Sequence, residues 1–189
     1  MEEIDPRHLL IKIVQILERL NIPYIITGGM AVFVWGRPRY TADIDTVIEL
    51  QTGKVEELAE ALMKLGETGY VQVQAIKDAL RTQGEFNFID GTTGMKVDFW
   101  ISKQDEFARS QFKRKIGQDI LGKTIYFTSP EDLILAKLQW YKLTPSSRQL
   151  EDVESVLRIS GDKLDRTYLT EWAQKLGVYE VLVECLHKS

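Results

Sequence analysis

Apolar residues recur at helical spacing through residues 6–20. Leu9, Leu10, Ile13, Ile16, Leu17 and Leu20 fall on one stripe, which predicts a core-facing helix. Asp5 is placed to cap it, and Pro6 suits its first turn. Tyr24, Ile25 and Ile26 then form a short apolar strand that turns at Thr27-Gly28-Gly29. Residues 30–35 leave room for two helical turns. Gly36-Arg37-Pro38-Arg39 must end them, because proline disfavours helix at the residue before it. Next the period changes to two. Ala42, Ile44, Thr46 and Ile48 alternate with Asp43, Asp45 and Val47, which predicts a strand with both aspartates on one face.

Further along, Val55, Leu58, Leu62 and Leu65 predict a helix over 54–65, with Glu56, Glu57 and Glu60 outward and a close at 66–69. Residues 71–81 begin in alternation but suit a helix from about Gln74. Residues 85–90 and 95–101 read as a hairpin joined by Gly91-Thr92-Thr93-Gly94. Residues 103–118 read as a polar helix with a basic run at its end, and 120–128 as a turn and a strand. After that the strands stop. Ser129 followed by Pro130, Glu131 and Asp132 is a strong helix start. Helices are predicted near 133–143, 148–159, 166–176 and 178–187. The pattern is α+β: strands among helices over 1–128, then helices alone over 129–189.

Composition narrows the classes. At 189 residues, 44% apolar and 28% charged, the chain can pack a core. No apolar run approaches the ~20 residues of a membrane span, and the acidic N-terminus argues against a signal peptide. One cysteine, Cys185, excludes an internal disulfide and a cysteine zinc site, so a reducing cytosol is the expected setting. Net charge is −4, unlike a general nucleic-acid binder. Residues 103–148, however, hold nine basic and five acidic groups, among them Arg109, Lys113, Arg114 and Lys115. Such a run is either a solvated helix face or a guide for a phosphate-rich substrate.

The aspartates carry the chemistry. Two carboxylates on one strand face repel unless one is protonated or a cation sits between them, and Mg²⁺ is the natural hard, oxygen-seeking guest. Upstream, Gly28 and Gly29 leave a strand and enter a helix, where phosphate can approach free N–H groups. In the later strand Lys96-Val97-Asp98-Phe99-Trp100, Asp98 is an acid where charge is unwelcome. Either it joins Asp43 and Asp45, if the two strands are neighbours, or it pairs with Lys96 on an exposed face. Lys137 shares a stripe with Leu133 and Trp140, and its ammonium either snorkels or reaches a phosphate. His8 and His187 lie near the termini, and no serine or cysteine has a histidine base, so a hydrolase triad is unsupported.

Gly28-Gly29, then Asp43-Ile44-Asp45, then Asp98 in a later strand resembles the DNA polymerase β-like nucleotidyltransferase superfamily. Gly28-Gly29-Met30-Ala31, Arg39 through Asp45, Lys96-Val97-Asp98 and Ser129 through Lys137 are similar to the AbiEii-like nucleotidyltransferases, many of them toxins of toxin–antitoxin pairs. The likeness spans roughly residues 24–160. Gly29 departs from the serine of many superfamily members, which removes a hydroxyl from the triphosphate site. The resemblance implies a small mixed sheet flanked by helices, with a helical C-terminal subdomain over 129–189 packed on a catalytic core over 1–128. It implies that Asp43 and Asp45 bind two Mg²⁺ ions, and that Asp98 binds one of them and helps to deprotonate the attacking hydroxyl. It implies that Gly28 and Gly29 hold phosphates of an NTP, and that Arg39, Lys137 and, less directly, Arg37 meet the triphosphate. Asp152 matches an acid without an assigned role. Trp100 shares Asp98's strand face and could stack on a base.

The expected activity is Mg²⁺-dependent transfer of an NMP from an NTP to an acceptor hydroxyl. The acceptor is an RNA end such as that of tRNA, a protein or a small molecule, and an antitoxin protein is a candidate partner. The rival is a non-catalytic module of the same fold that binds a nucleotide or a partner. It would release no pyrophosphate.

Overall fold

The computed structural model describes residues 5–39, 41, 43–65 and 69–189. The expected helix close at 66–68, the strand position Ala42 and Tyr40 of the Arg39–Asp45 motif lie outside the described residues. The chain forms two compact units. Met1–Thr27 and Thr41–Phe127 make the first, and Gly28–Tyr40 and Thr128–Ser189 the second.

The first unit is built on six strands. They are β1 (Tyr24–Ile26), β2 (Asp43–Ile48), β3 (Glu85–Ile89), β4 (Lys96–Ile101), β5 (Ile116–Ile120) and β6 (Lys123–Phe127). Their order in the sheet is β3-β4-β2-β1-β6-β5. β2 runs parallel to β4, and β1 parallel to β6, while the remaining neighbours are antiparallel. The alternation read from the sequence is realised in burial. Ile44, Thr46 and Ile48 of β2, Val97, Phe99 and Ile101 of β4, and Phe86 and Phe88 of β3 are buried. Asp43, Asp45, Lys96, Asp98 and Trp100 are only part-buried on the opposite face. Phe86 and Phe99, register partners, stack with centroids 4.9 Å apart. Each such buried apolar side chain stabilises by roughly 1.5–3 kcal/mol.

Helices supply the rest of that core. α1 (Pro6–Arg19) is capped by Asp5, whose side chain accepts from Arg7 N, and it buries Leu9, Leu10, Ile13, Ile16 and Leu17 as its stripe predicts. α3 (Val55–Met63) packs on α1 and on α4 (Val73–Thr82), and α4 lies on β3 and β4. α2 belongs to the second unit and is described below.

One stretch departs from the expected order. The polar helix over 103–118 is instead α5 (Glu106–Arg114), followed by the strand β5. Lys115 is already extended, at φ −56° and ψ 141°. Gly117 weakens a helix there. Leu121 and Gly122 both take positive φ and turn β5 back onto β6 in five register pairs. Ladder hydrogen bonds to a neighbouring strand therefore override a local helical reading.

The second unit is helical. It joins α2 (Gly28–Trp35) to α6 (Pro130–Leu143), α7 (Ser147–Ser160), α8 (Arg166–Lys175) and α9 (Tyr179–Lys188). α2 packs on α6 and α7. Trp35 Nε1 donates to Thr128 O at 2.8 Å, and Ser160 Oγ donates to Trp35 O at 2.6 Å. Ser129 caps α6 by accepting from Asp132 N, as its sequence signature predicts. Tyr168 Oη donates to Asp132 Oδ1 at 2.7 Å, which ties α8 to the start of α6. Cys185 is a buried thiol. Among the described residues no helix is long and apolar enough to cross a membrane.

Candidate functional site

The acidic candidates belong to the first unit. β2 and β4 are parallel and paired so that Asp45 stands opposite Asp98, and Asp43 opposite Lys96. Side chains two residues apart share a strand face, so Asp43, Asp45 and Asp98 share one. The neighbour strand for Asp98 is therefore the Asp-Ile-Asp strand. The main chain next to Asp45 is fixed too, since Thr27 N donates to Asp45 O at 3.0 Å.

The alternative reading of Asp98 is realised at the same time. Lys96 Nζ lies 2.8 Å from Asp98 Oδ2. The hydrogen bond to Asp98 raises the Lys96 ammonium above its ordinary value against some burial, and the charges of Asp98, Asp43 and Asp45 add to the rise. Among the described residues no three acidic, histidine or cysteine side chains converge closely enough to make a finished metal-ligand set. The backbone brings the three carboxylates to one face while Lys96 engages the third. Donor chemistry and placement still fit a hard divalent cation: all three are oxygen ligands, and the cluster already attracts one cation.

A fourth acid faces this group and was not singled out by the sequence. Glu85 of β3 is opposite Trp100, and Asn87 is opposite Asp98. Burial, and then the Asp98 and Asp45 charges, push the Glu85 carboxyl up against the opposing pull of Lys96. The signal was the hairpin alternation, which puts Glu85 and Asn87 on the outward face.

The second unit holds the cationic candidates. Gly28 opens α2 at φ +58°, and Gly29 is buried in its first turn. Arg39 Nε and Nη2 donate to Asp152 Oδ1 and Oδ2 at 2.7 and 2.8 Å, a two-pronged pair. Lys137 Nζ donates to the same Asp152 Oδ2 at 2.8 Å. Lys137 is thus neither snorkelling nor alone; it is 9% exposed and anchored to Asp152, which is 4% exposed. Burial pushes the Asp152 carboxyl up, but the hydrogen bonds from Arg39 and Lys137 outweigh it and hold it below its ordinary value. Asp152 is the residue whose importance the sequence underdetermined. The sequence offered it no role, because its partners lie 113 and 15 residues away. Arg37 is exposed, and its N–H donates to Ser155 Oγ at 3.2 Å.

The basic run divides. Arg109 and Lys113 are exposed on α5. Lys115 instead lies over the rings of Tyr126, Tyr24 and Phe112, at 4.7, 5.7 and 5.9 Å from their centroids. Burial there lowers its ammonium below its ordinary value, with Glu49 opposing.

No family model and no curated protein matches this sequence. Solved structures do. The chain is similar to ANT(2'')-Ia in complex with adenylyl-2''-tobramycin, at 17% identity and a TM-score of 0.63, over 90% of this chain and 98% of that one. It is similar to the lincosamide antibiotic adenylyltransferase LnuA, lincomycin-bound, at 12% identity and a TM-score of 0.52, over 82% and 98%. An antigenic nucleotidyltransferase-like protein from Paracoccidioides brasiliensis aligns at 21% identity and a TM-score of 0.53, over 80% and 75%. At these identities the likeness is one of fold. The mixed α+β architecture found here is a nucleotidyltransferase fold.

Proposed function

We propose that this chain is a Mg²⁺-dependent nucleotidyltransferase that moves an NMP from an NTP to an acceptor hydroxyl. The observation that carries the reading is the in-register pair Asp45 and Asp98 on parallel strands, with Asp43 on the same face. In this reading Asp43, Asp45 and Asp98 hold the divalent cations. Bound there, the cations supply Lewis-acid stabilisation of an in-line displacement at phosphorus. Asp98 also accepts the proton of the attacking hydroxyl. The first turn of α2, at Gly28 and Gly29, presents backbone N–H groups to phosphate. Arg39 and Lys137 meet the triphosphate and stabilise the departing pyrophosphate, with Arg37 a further cation for it. Asp152 fixes the spacing of Arg39 and Lys137.

For the acceptor we favour an RNA end such as that of tRNA, in a toxin-like cytosolic enzyme restrained by an antitoxin protein. The support is the exposed pair Arg109 and Lys113 within the basic stretch 103–148. A small-molecule acceptor is the second reading, supported by the antibiotics in the ANT(2'')-Ia and LnuA structures. The test is label transfer: the protein, Mg²⁺ and each α-phosphate-labelled NTP, with total RNA, tobramycin or RNA-free lysate, and Asp43→Ala alongside. Label on a tRNA-sized band, lost in the variant, is the expected result. Label on tobramycin or a protein band moves the acceptor assignment. Nucleotide binding without pyrophosphate release under any of these conditions overturns the enzyme reading in favour of a binding module.

A further inference from the structure

The acidic face of β2 and β4 carries its own cation. Lys96 stands opposite Asp43 across the strand pair and two residues before Asp98 along its own strand. Its side chain therefore rises between two of the three carboxylates, and Nζ reaches Asp98 Oδ2 at 2.8 Å. The side chains are 41% exposed for Lys96 and 13% for Asp98, so the carboxylate is the fixed partner and the lysine the one that water can take back. Among the described residues the carboxylates do not form a finished metal-ligand set while this pair is made.

We propose that Lys96 is an internal counter-cation of the carboxylate cluster, displaced from Asp98 when a divalent metal loads. This rests on the metal-binding reading of Asp43, Asp45 and Asp98. The physical argument is one of competing cations. Three carboxylates on neighbouring positions repel in the metal-free protein, and like charges directly opposite across strands are destabilising. An ammonium at Asp98 offsets part of that repulsion. A half-exposed lysine pair is weak and screened, so a divalent ion with several oxygen ligands outcompetes it. Lys96 then returns to solvent on its flexible stem at little cost. The lysine stabilises the empty site and opposes metal entry by the same contact.

The test compares wild type, Lys96→Met and Lys96→Arg in the full chain, with Mn²⁺ as the probe. Bound Mn²⁺ is read by loss of its free electron-spin signal, and melting is followed in EDTA and in Mn²⁺. Met keeps the apolar stem and removes the charge. The expected result is Mn²⁺ binding about two- to tenfold tighter in Lys96→Met than in wild type, the range set by a weak, partly exposed ion pair. In EDTA the Lys96→Met protein melts below wild type, and Mn²⁺ narrows that gap, while Lys96→Arg stays near wild type in both. Equal or weaker Mn²⁺ binding by Lys96→Met overturns the counter-cation role, since the lysine would then be inert or would orient Asp98 for the metal. Absence of Mn²⁺ binding in all three proteins overturns the metal reading itself, and the inference with it.

Discussion

Asp45 and Asp98 face each other on adjacent parallel strands, 53 positions apart in sequence and on the same rung of the sheet. A fold gains nothing by setting two carboxylates opposite one another, because directly opposed like charges cost about 0.2–1 kcal/mol. Removing one should therefore separate stability from activity. Asp45→Asn and Asp98→Asn are each expected to lower nucleotidyl transfer by at least about a hundredfold, the upper range for groups that only support metal ligands. Asp45→Asn should melt in EDTA at or above the wild-type temperature. Calorimetry beside the transfer assay checks both. A variant that loses activity only because it unfolds would contradict this account.

Close packing at Gly36 makes a second prediction, within the helical unit. A Cβ on Gly36 would lie 2.4 Å from Ser155 Oγ and 3.1 Å from Val156 Cγ2. Ser155 Oγ already accepts from Arg37 N, so it is held in place. Gly36→Ala is expected to destabilise by about 1–3 kcal/mol, as overpacking does. Adding Ser155→Ala, which removes the clashing Oγ and suits the interior of α7, should recover part of the loss. Urea unfolding of the two variants measures it, and equal midpoints for Gly36→Ala and wild type would contradict the packing.

Much of this was legible in the chain. Period two in 43–48 and 96–101 fixed which residues share a face, and so placed Asp43, Asp45 and Asp98 together once the strands paired. Ser129 and Asp5 named their helices' starts because capping is local chemistry. What the sequence could not reveal depends on distant partners. β5 looks helical until β6 is there to pair with it. α2 follows a strand, yet it packs with helices beyond residue 128. Asp152 reads as an ordinary helix acid until Arg39 arrives from 113 residues away. Lys96 was visible as Asp98's partner, but a sequence presents that pair as an alternative to the carboxylate cluster. The sheet contains both at once.

Thr46 offers a stabilising change. It sits on the buried face of β2, fully inaccessible, and its hydroxyl has no hydrogen-bond partner among the described residues. Burying an unpaired hydroxyl costs roughly 1–3 kcal/mol. Thr46→Val keeps the shape and the β-branched preference for a strand. It is expected to raise stability by about 1 kcal/mol, read as a higher melting temperature with transfer activity retained. A lower melting temperature would mean that the hydroxyl is satisfied in solution.

Asp152 should leave a signature in acid. Its carboxylate is buried with two cations on it, Arg39 and Lys137. Their hydrogen bonds, outweighing burial, hold its folded pKa below its ordinary value. The unfolded chain therefore takes up a proton at higher pH than the folded chain does. The resulting stabilisation is complete above the unfolded value, near 3.9, and is lost as pH falls through the lower folded value. Asp152→Asn leaves both cations without their counter-charge at every pH. Breaking a buried pair in this way costs about 3–5 kcal/mol. The deficit of the variant against wild type is thus expected to be constant from pH 5 to 8 and to shrink below about pH 4. Urea unfolding of both proteins across that range measures it. A deficit that stays constant to pH 2.5 would mean that the carboxylate charge contributes nothing, and that Asp152 holds Arg39 and Lys137 by shape and hydrogen bonding alone.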